Sequence, residues 1–66
     1  MISFDKLWET MREKGVSTYT LREKYNIETR TIRRLKANEN TTTDTLNALC
    51  DILDCRLQDI AEYVKD

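Results

Sequence analysis

The chain has 66 residues, among them one glycine, two cysteines and neither proline nor histidine, and its net charge is −1. This length predicts a single small domain over residues 1–66 and leaves little room for a deep catalytic cleft. No apolar run approaches the roughly 18 residues of a membrane span, the N-terminus lacks a signal-peptide pattern, and the scarcity of glycine and proline favours helices over hairpins.

Apolar spacing and capping residues predict two helices in the first part of the chain. The first begins after Ser3, a favourable N-cap, and ends at Gly15, which readily adopts the left-handed conformation of a helix C-terminus. The second covers about residues 18–25 and is capped by Ser17 or Thr18. Its side chains that are expected to face inward are Leu21 and Tyr25.

A third helix is expected after an interruption at Asn26. Asparagine tolerates a left-handed backbone better than other non-glycine residues, so a tight turn can form at this point. The helix then covers about residues 28–37 and directs Ile32 and Leu35 toward the core. Two short helices joined by a tight turn are typical of a helix-turn-helix, in which the second helix reads DNA.

The rest of the chain predicts two more helices and therefore a compact, five-helix, all-α bundle. Thr42 or Thr43 caps a fourth helix after a polar loop. Apolar residues recur in that helix at i, i+3, i+4 and i+7, and this spacing forms one stripe: Leu46, Leu49, Cys50 and Leu53. A short fifth helix is expected to place on one side Leu57, Ile60, Ala61 and Val64.

Charge is distributed unevenly along the chain. Residues 1–38 carry nine Lys or Arg against five Asp or Glu, a balance of +4, whereas residues 39–66 carry two against seven, a balance of −5. Such asymmetry indicates a side of the molecule that faces a polyanion. The basic residues of the third helix have no acidic residue between them: Arg30, Arg33, Arg34 and Lys36.

A helical wheel separates the third helix into two faces. At about 100° per residue, Arg33 and Arg34 fall within about 60° of Arg30. Ile32 and Leu35 fall on the opposite side. A helix of this kind can pack on a core with one face and lie in a major groove with the other, where arginine bonds bidentately to guanine.

Three segments of the chain resemble the helix-turn-helix of phage Cro and repressor proteins, a family also called XRE-like. They are Leu21-Arg-Glu-Lys-Tyr25-Asn26-Ile27, Thr31-Ile32-Arg33-Arg34-Leu35, and the stripe from Leu46 to Leu53. The match covers about residues 4–64 without a gap. The resemblance implies a lambda repressor-like fold, double-stranded DNA as the partner, and regulation of transcription by occupancy of an operator, with no cofactor.

The resemblance also implies which residues meet DNA. Base contacts belong to the outward face of the third helix, with two residues (Thr31 and Arg33) at the groove walls: Thr29, Arg30, Thr31, Arg33 and Arg34. Phosphate contacts are expected near helix ends and in the following loop: Ser17, Thr18, Lys36, Asn38, Asn40 and Thr41. Three residues depart from the family pattern: Asn26 in place of a turn glycine, Glu28 at the first position of the recognition helix, and Glu39 in the loop.

Several other interpretations stay open. The arginine cluster could be a solvated helix face, and Tyr19 could be exposed or packed. Cys50 and Cys55 have no third or fourth soft ligand, so a zinc site is not expected, and a disulfide is not expected either because it would need strained geometry next to a helix end. Enzymatic activity is not expected either, because the chain lacks histidine, a glycine-rich phosphate loop and a nucleophile with an evident base.

Two functions of different classes therefore compete. The first is a cytoplasmic, sequence-specific DNA-binding regulator, with a homodimer formed through the fifth helix by Leu57, Ile60, Tyr63 and Val64. The second is a small helical protein-interaction module, antitoxin-like or anti-repressor-like, with little DNA binding. The acidic second half of the chain favours the second, and retention on duplex DNA at low salt discriminates between them.

Overall fold

The computed structural model describes residues 1–65, and Asp66, the last residue of the predicted domain, lies outside them. Within the described residues the fold has four α-helices, not the predicted five, together with a 3₁₀ turn and a two-stranded sheet. In chain order the elements are β1 (Ile2–Ser3), α1 (Asp5–Lys14), α2 (Thr18–Glu23), α3 (Thr29–Lys36), α4 (Thr43–Leu53), the 3₁₀ turn (Leu57–Asp59) and β2 (Glu62–Tyr63).

Local capping chemistry sets most of the helix ends. Ser17 caps α2 and Thr42 caps α4, because each hydroxyl oxygen accepts a hydrogen bond from the backbone N–H three residues later. At their C-terminal ends, α1 and α4 are terminated by residues with a left-handed backbone, Gly15 (φ 70°) and Asp54 (φ 49°). α2 ends at Glu23, two residues before its predicted end, and α3 is flanked by Glu28 and Ala37.

The predicted start of the first helix is wrong by one residue. Phe4, not Ser3, is the N-cap of α1, and it makes no side-chain capping bond. Ser3 belongs to β1 and is buried, while its hydroxyl accepts a hydrogen bond of 3.2 Å from the backbone N–H of Asp5. The serine therefore supports the helix start from one position further out than the sequence predicts.

The predicted fifth helix is wrong. Only Leu57–Asp59 is helical in this segment, and Glu62–Tyr63 instead pairs antiparallel with Ile2–Ser3. The backbone N–H of Val64 donates to the carbonyl oxygen of Met1 at 2.8 Å. This bond extends by one residue the two-stranded sheet of β1 and β2, here called the ribbon. An isolated helix of about eight residues is marginal, so pairing with the otherwise unpartnered N-terminal strand is the stronger alternative.

One apolar core lies between the helices and the ribbon. It contains Phe4, Leu7, Met11, Leu21, Ile32, Leu35, Leu49, Leu53 and Ile60. Ile60 is completely buried in it, although the sequence places this residue on a self-association surface. Tyr25, predicted to face inward, follows the end of α2 and is 37% exposed. None of the helices found in residues 1–65 has both the length and the hydropathy to cross a membrane.

Candidate nucleic-acid interface

The turn between α2 and α3 is built on Asn26. This residue has φ 58°, the left-handed conformation that the sequence predicts for it. Directly after it, the backbone N–H of Ile27 donates to the carbonyl oxygen of Leu21 at 2.9 Å, which closes the turn against the buried part of α2. The unit α2–turn–α3 is therefore a helix-turn-helix, held from inside by Leu21 and by the half-buried Ile27.

The two faces of α3 differ sharply in burial. Ile32 and Leu35 are 5% and 0% exposed and lie in the core. The predicted reading residues on the other side are exposed, except that Thr31 is half-buried: Thr29, Arg30, Arg33 and Arg34. The helix thus presents its cationic face to solvent because its two apolar side chains fix the opposite face.

The cations of α3 have no anionic partner in the part of the chain that the structure describes. Arg30, Arg33, Arg34 and Lys36 form no ion pair and no side-chain hydrogen bond there. The described part of the chain does contain an ion pair elsewhere: Lys6 and Glu62 are 3.6 Å apart beside the two-stranded sheet. A phosphate that approaches α3 can therefore bind these guanidinium groups without first breaking an ion pair with a carboxylate.

The C-terminal end of α3 is closed by a Schellman motif. Asn38 is left-handed (φ 56°), and its backbone N–H donates to the carbonyl oxygen of Leu35 at 3.2 Å. The next residue, Glu39, donates its backbone N–H to the carbonyl oxygen of Arg34 at 2.8 Å. This turn directs the loop away from the helix axis and toward the start of α4.

Two open clefts flank this end of α3, and Arg34 and Asn40 line both of them. The first is also lined by Asn38 and Glu39. The second reaches the N-terminus of α4, and its other lining residues are Thr31, Thr41, Thr42 and Thr45. The structure thus brings together five of the predicted DNA-contacting residues: Thr31, Arg34, Asn38, Asn40 and Thr41.

Sequence reasoning did not place Thr42 and Thr45 beside this group. Thr42 signals only a helix cap in the sequence, and the structure shows it in that role: its Oγ1 accepts from the backbone N–H of Thr45 at 3.2 Å. The Thr45 hydroxyl lies 3.2 Å from the Thr42 hydroxyl. The run of threonines after the loop was the available signal, because hydroxyls at a helix N-terminus are typical of anion contacts.

Other predicted phosphate contacts lie apart from the two clefts. Ser17 and Thr18 stand at the start of α2, where the Ser17 hydroxyl accepts from the backbone N–H of Thr20 at 3.1 Å. Thr18 is half-buried, and Lys36 is exposed but lines neither cleft. On the exposed side of α2, Tyr19 is 63% exposed and lies under the Arg22 guanidinium, 5.8 Å from ring centroid to Cζ.

Asn38 already uses part of its side chain within the protein. Its Oδ1 accepts a hydrogen bond of 2.7 Å from the backbone N–H of Phe4, a residue 34 positions away along the chain. The Nδ2 group is the remaining donor of this amide. The sequence offers no signal for this contact, since it joins the loop after α3 to the start of α1.

The two thiols lie at the end of α4, away from the residues of the clefts. Cys50 and Cys55 are free and half-buried. Burial raises the pKa of Cys55, and the neighbouring Cys50 and the Asp59 carboxylate raise it further. Residues 1–65 contain no group of three histidine, cysteine or carboxylate side chains that could hold a metal ion.

Comparison with known proteins agrees with this geometry. The family model of the Cro/C1-type HTH DNA-binding domain matches residues 6–66. Among solved structures, the crystal structure of the transcriptional regulator VanUg is similar, with a TM-score of 0.88 and 31% sequence identity over 98% of this chain and 87% of that chain. Comparison with curated protein sequences gives no match. The chain belongs to the family of Cro/C1-type helix-turn-helix DNA-binding domains, as the resemblance in its sequence predicts.

Proposed function

We propose that this chain is a sequence-specific, double-stranded-DNA-binding repressor of bacterial or phage type that inserts α3 into the major groove. One observation carries the proposal: the arginines of α3 are exposed and unpaired within the described residues, while Ile32 and Leu35 anchor the opposite face. A major groove about 12 Å wide accepts an α-helix in this orientation.

The reading face acts through two kinds of side chain. Arg30 and Arg34 lie one helical turn apart and donate bidentately to the O6 and N7 atoms of guanine, which is worth about 1–3 kcal/mol of discrimination per contact. Thr29 uses its methyl group against thymine or its hydroxyl against a base edge. Thr31 and Arg33 border this face and contact the groove walls, where the half-burial of Thr31 limits it to a short reach.

Phosphate contacts orient the helix in the groove. The two clefts around Arg34 follow the DNA backbone and present amide and hydroxyl groups from Asn38, Asn40 and Thr41. The Nδ2 group of Asn38 is the donor available for this purpose. Ser17, Thr18 and Lys36 contact a second stretch of backbone, with the start of α2 supplying backbone N–H groups.

Repression follows from occupancy of the operator and requires no chemistry by the protein. We infer that residues 1–66 act as one non-enzymatic domain in the cytoplasm, where bacterial and phage DNA is found. RNA polymerase is excluded from the promoter for as long as the site is filled. Repression is therefore governed by Kd and protein concentration.

A homodimer is part of this proposal, because a single recognition helix reads few base pairs. Two copies of α3 must then lie about 34 Å apart to enter successive major grooves. The exposed apolar residues of the C-terminal segment offer the contact surface: Leu57, Tyr63 and Val64. Ile60 does not belong to this surface because it is buried in the core.

Selection of bound sequences from random duplexes tests the proposal, followed by titration of the selected duplex at several salt concentrations. We expect a palindromic consensus that contains guanine, and an affinity that falls steeply with salt as counterions are released. Absence of binding to any duplex at about 50 mM salt would contradict the proposal. Sedimentation of the protein alone and with the duplex then measures the stoichiometry.

Failure to bind DNA would favour the protein-interaction module instead. That function is supported by the acidic balance of residues 39–66, which carry a net charge of −5. If the protein does not bind DNA, we infer that the exposed arginines of α3 bind an acidic protein partner instead. The random-duplex experiment separates the two, because non-specific phosphate contacts alone are sufficient for measurable binding at low salt.

A further inference from the structure

The hydrogen bond between Phe4 and Asn38 connects the end of α3 to the N-terminal part of the fold. Its donor is the Phe4 backbone N–H, its acceptor is Asn38 Oδ1, the two atoms are 2.7 Å apart, and the bond is partly buried. Phe4 itself is 4% exposed and directly follows β1, which pairs with β2. The donor therefore lies between the paired strand β1 and the start of α1, on a residue whose side chain is buried in the core.

The backbone N–H of Ile27, bonded to the Leu21 carbonyl oxygen, ties the start of α3 to α2, but apolar packing by itself leaves the tilt of its C-terminal end weakly restrained. Two buried side chains, Ile32 and Leu35, attach this helix to the core, and they are separated by only about 4.5 Å along its axis. Burial of apolar surface is non-directional, so two such neighbouring contacts resist lifting of the helix more than they resist tilting. Within residues 29–40, Asn38 is the residue whose side chain is hydrogen-bonded to another part of the fold.

Asn38 is suited to transmit this restraint to the reading face. Its left-handed backbone (φ 56°) is part of the Schellman motif, in which Glu39 N–H bonds to the carbonyl oxygen of Arg34. Asn38 also lines one cleft together with the Arg34 side chain. Any shift of the amide is therefore carried directly to the last turn of α3.

We propose that Asn38 is a positioning residue for sequence discrimination: its amide oxygen, by holding the Phe4 N–H, fixes the tilt at which α3 presents Arg30 and Arg34 to base edges. This inference rests on the proposed DNA-binding function. It differs from a phosphate contact, because the atom that matters is the acceptor Oδ1 and its partner lies inside the protein. Base readout is sensitive to such tilt, since recognition groups must be held to within about 0.5 Å and 10–20°.

The test uses two changes that break the same bond from opposite sides. Asn38→Gly removes the acceptor and retains the left-handed backbone. Replacement of the Phe4 amide by an ester, by chemical synthesis of the full chain, removes the donor and keeps the buried phenyl ring. Asp54→Gly is the matched control, because Asp54 is exposed, also left-handed (φ 49°), lies at the end of α4 and forms no side-chain hydrogen bond within the described residues.

The measured quantity is the ratio of affinities for the duplex selected by the unmodified protein and for a scrambled duplex of the same composition. We expect Asn38→Gly and the Phe4 ester each to lower this ratio about tenfold, which is the discrimination of one well-placed base contact. The combined change should lower it no further, since both act through one bond. Asp54→Gly should leave the ratio unchanged.

Three outcomes would overturn the inference. Equal loss of affinity for both duplexes, with a salt slope reduced by about one and a silent Phe4 ester, would make Asn38 a phosphate contact. A lower melting temperature with an unchanged ratio would make it a stabilising residue only. Additive effects of the two changes would show that they act separately. If the unmodified protein selects no duplex, the proposed function fails before this test begins.

Discussion

Arg34 and Asn40 line both clefts at the C-terminal end of α3, so the two side chains lie where α3 meets the following loop. Arg34 is exposed and, among residues 1–65, pairs with no carboxylate. Arg34 belongs to the proposed base-reading face and also lies beside the threonine-rich start of α4. Arg34 is therefore the residue of the site whose substitution should be most informative.

We expect Arg34→Ala to weaken binding to the selected duplex by about 1–3 kcal/mol, or about 5- to 150-fold, because a bidentate base contact is lost. Arg34→Lys should keep the salt dependence but not the base preference, since lysine is a point charge without the planar fork. Fluorescence anisotropy with the selected and scrambled duplexes measures both. Arg56→Ala, which removes an exposed arginine from the acidic part of the chain, is the control, and an equal loss there would contradict the assignment.

Glu39 should oppose DNA binding. It is exposed and lines a cleft with Arg34, so its negative charge lies close to any phosphate bound there. We expect Glu39→Gln to raise the affinity for any duplex about two- to fourfold at low salt, with the gain shrinking as salt screens the charge. Asp51→Asn is the isosteric control on exposed α4 surface, about 9 Å further along the helix than Thr45. The prediction fails if both variants gain equally.

The buried face of α3 should contribute more to the free energy of unfolding than its exposed face. Leu35 is completely buried, and Leu35→Ala should lower the free energy of unfolding by about 2–5 kcal/mol. A loss of this size is comparable to the total stability of a small domain, so much of the variant should be unfolded at room temperature. Urea unfolding followed by circular dichroism measures it. The exposed neighbour provides the comparison: Lys36→Ala should change stability by less than about 0.5 kcal/mol.

The cap of α4 should make a measurable contribution of its own. Thr42→Ala removes the hydroxyl that accepts from the Thr45 N–H and should cost about 1 kcal/mol of stability. Thr42→Asp should restore the value, because a carboxylate also caps a helix and interacts favourably with its N-terminus. Thr43→Ala, one residue into α4, removes a threonine that is not the cap. Equal thermal unfolding of the two alanine variants would show that the capping bond contributes nothing.

The Cys55 thiol should react slowly with alkylating reagents. Burial, followed by Cys50 and Asp59, raises the pKa of Cys55, so at about pH 8.5 less of it is thiolate than in the unfolded chain. Since the unfolded state ionises at the lower pH, the free energy of unfolding should decrease as pH rises from the ordinary thiol pKa through the raised one. Iodoacetamide rates against pH in Cys50→Ser, where Cys55 is the single thiol, measure the part of the pKa rise that comes from burial and Asp59. Rates equal to those of the urea-unfolded variant would contradict it.

Much of the helix-turn-helix could be predicted because its determinants are local. Ser17, Gly15 and Asn26 act on their immediate neighbours through capping bonds or a left-handed backbone, and these preferences belong to the residue types themselves. The spacing of Ile32 and Leu35 likewise fixes which face of α3 is buried, and the outward direction of Arg30 and Arg34 follows by geometry. These parts of the fold needed no knowledge of distant residues.

The tertiary structure decided what happens where distant segments meet. The segment from Leu57 to Val64 has a helical apolar spacing, yet its second part pairs with β1 and Ile60 enters the core, because strand pairing depends on a partner some 60 positions away. The same reason applies to Asn38, whose amide is assigned to solvent-facing contacts by the sequence but accepts a bond from Phe4 in the fold. Local periodicity determines the helices and their faces, whereas non-local hydrogen bonds determine how those faces are held.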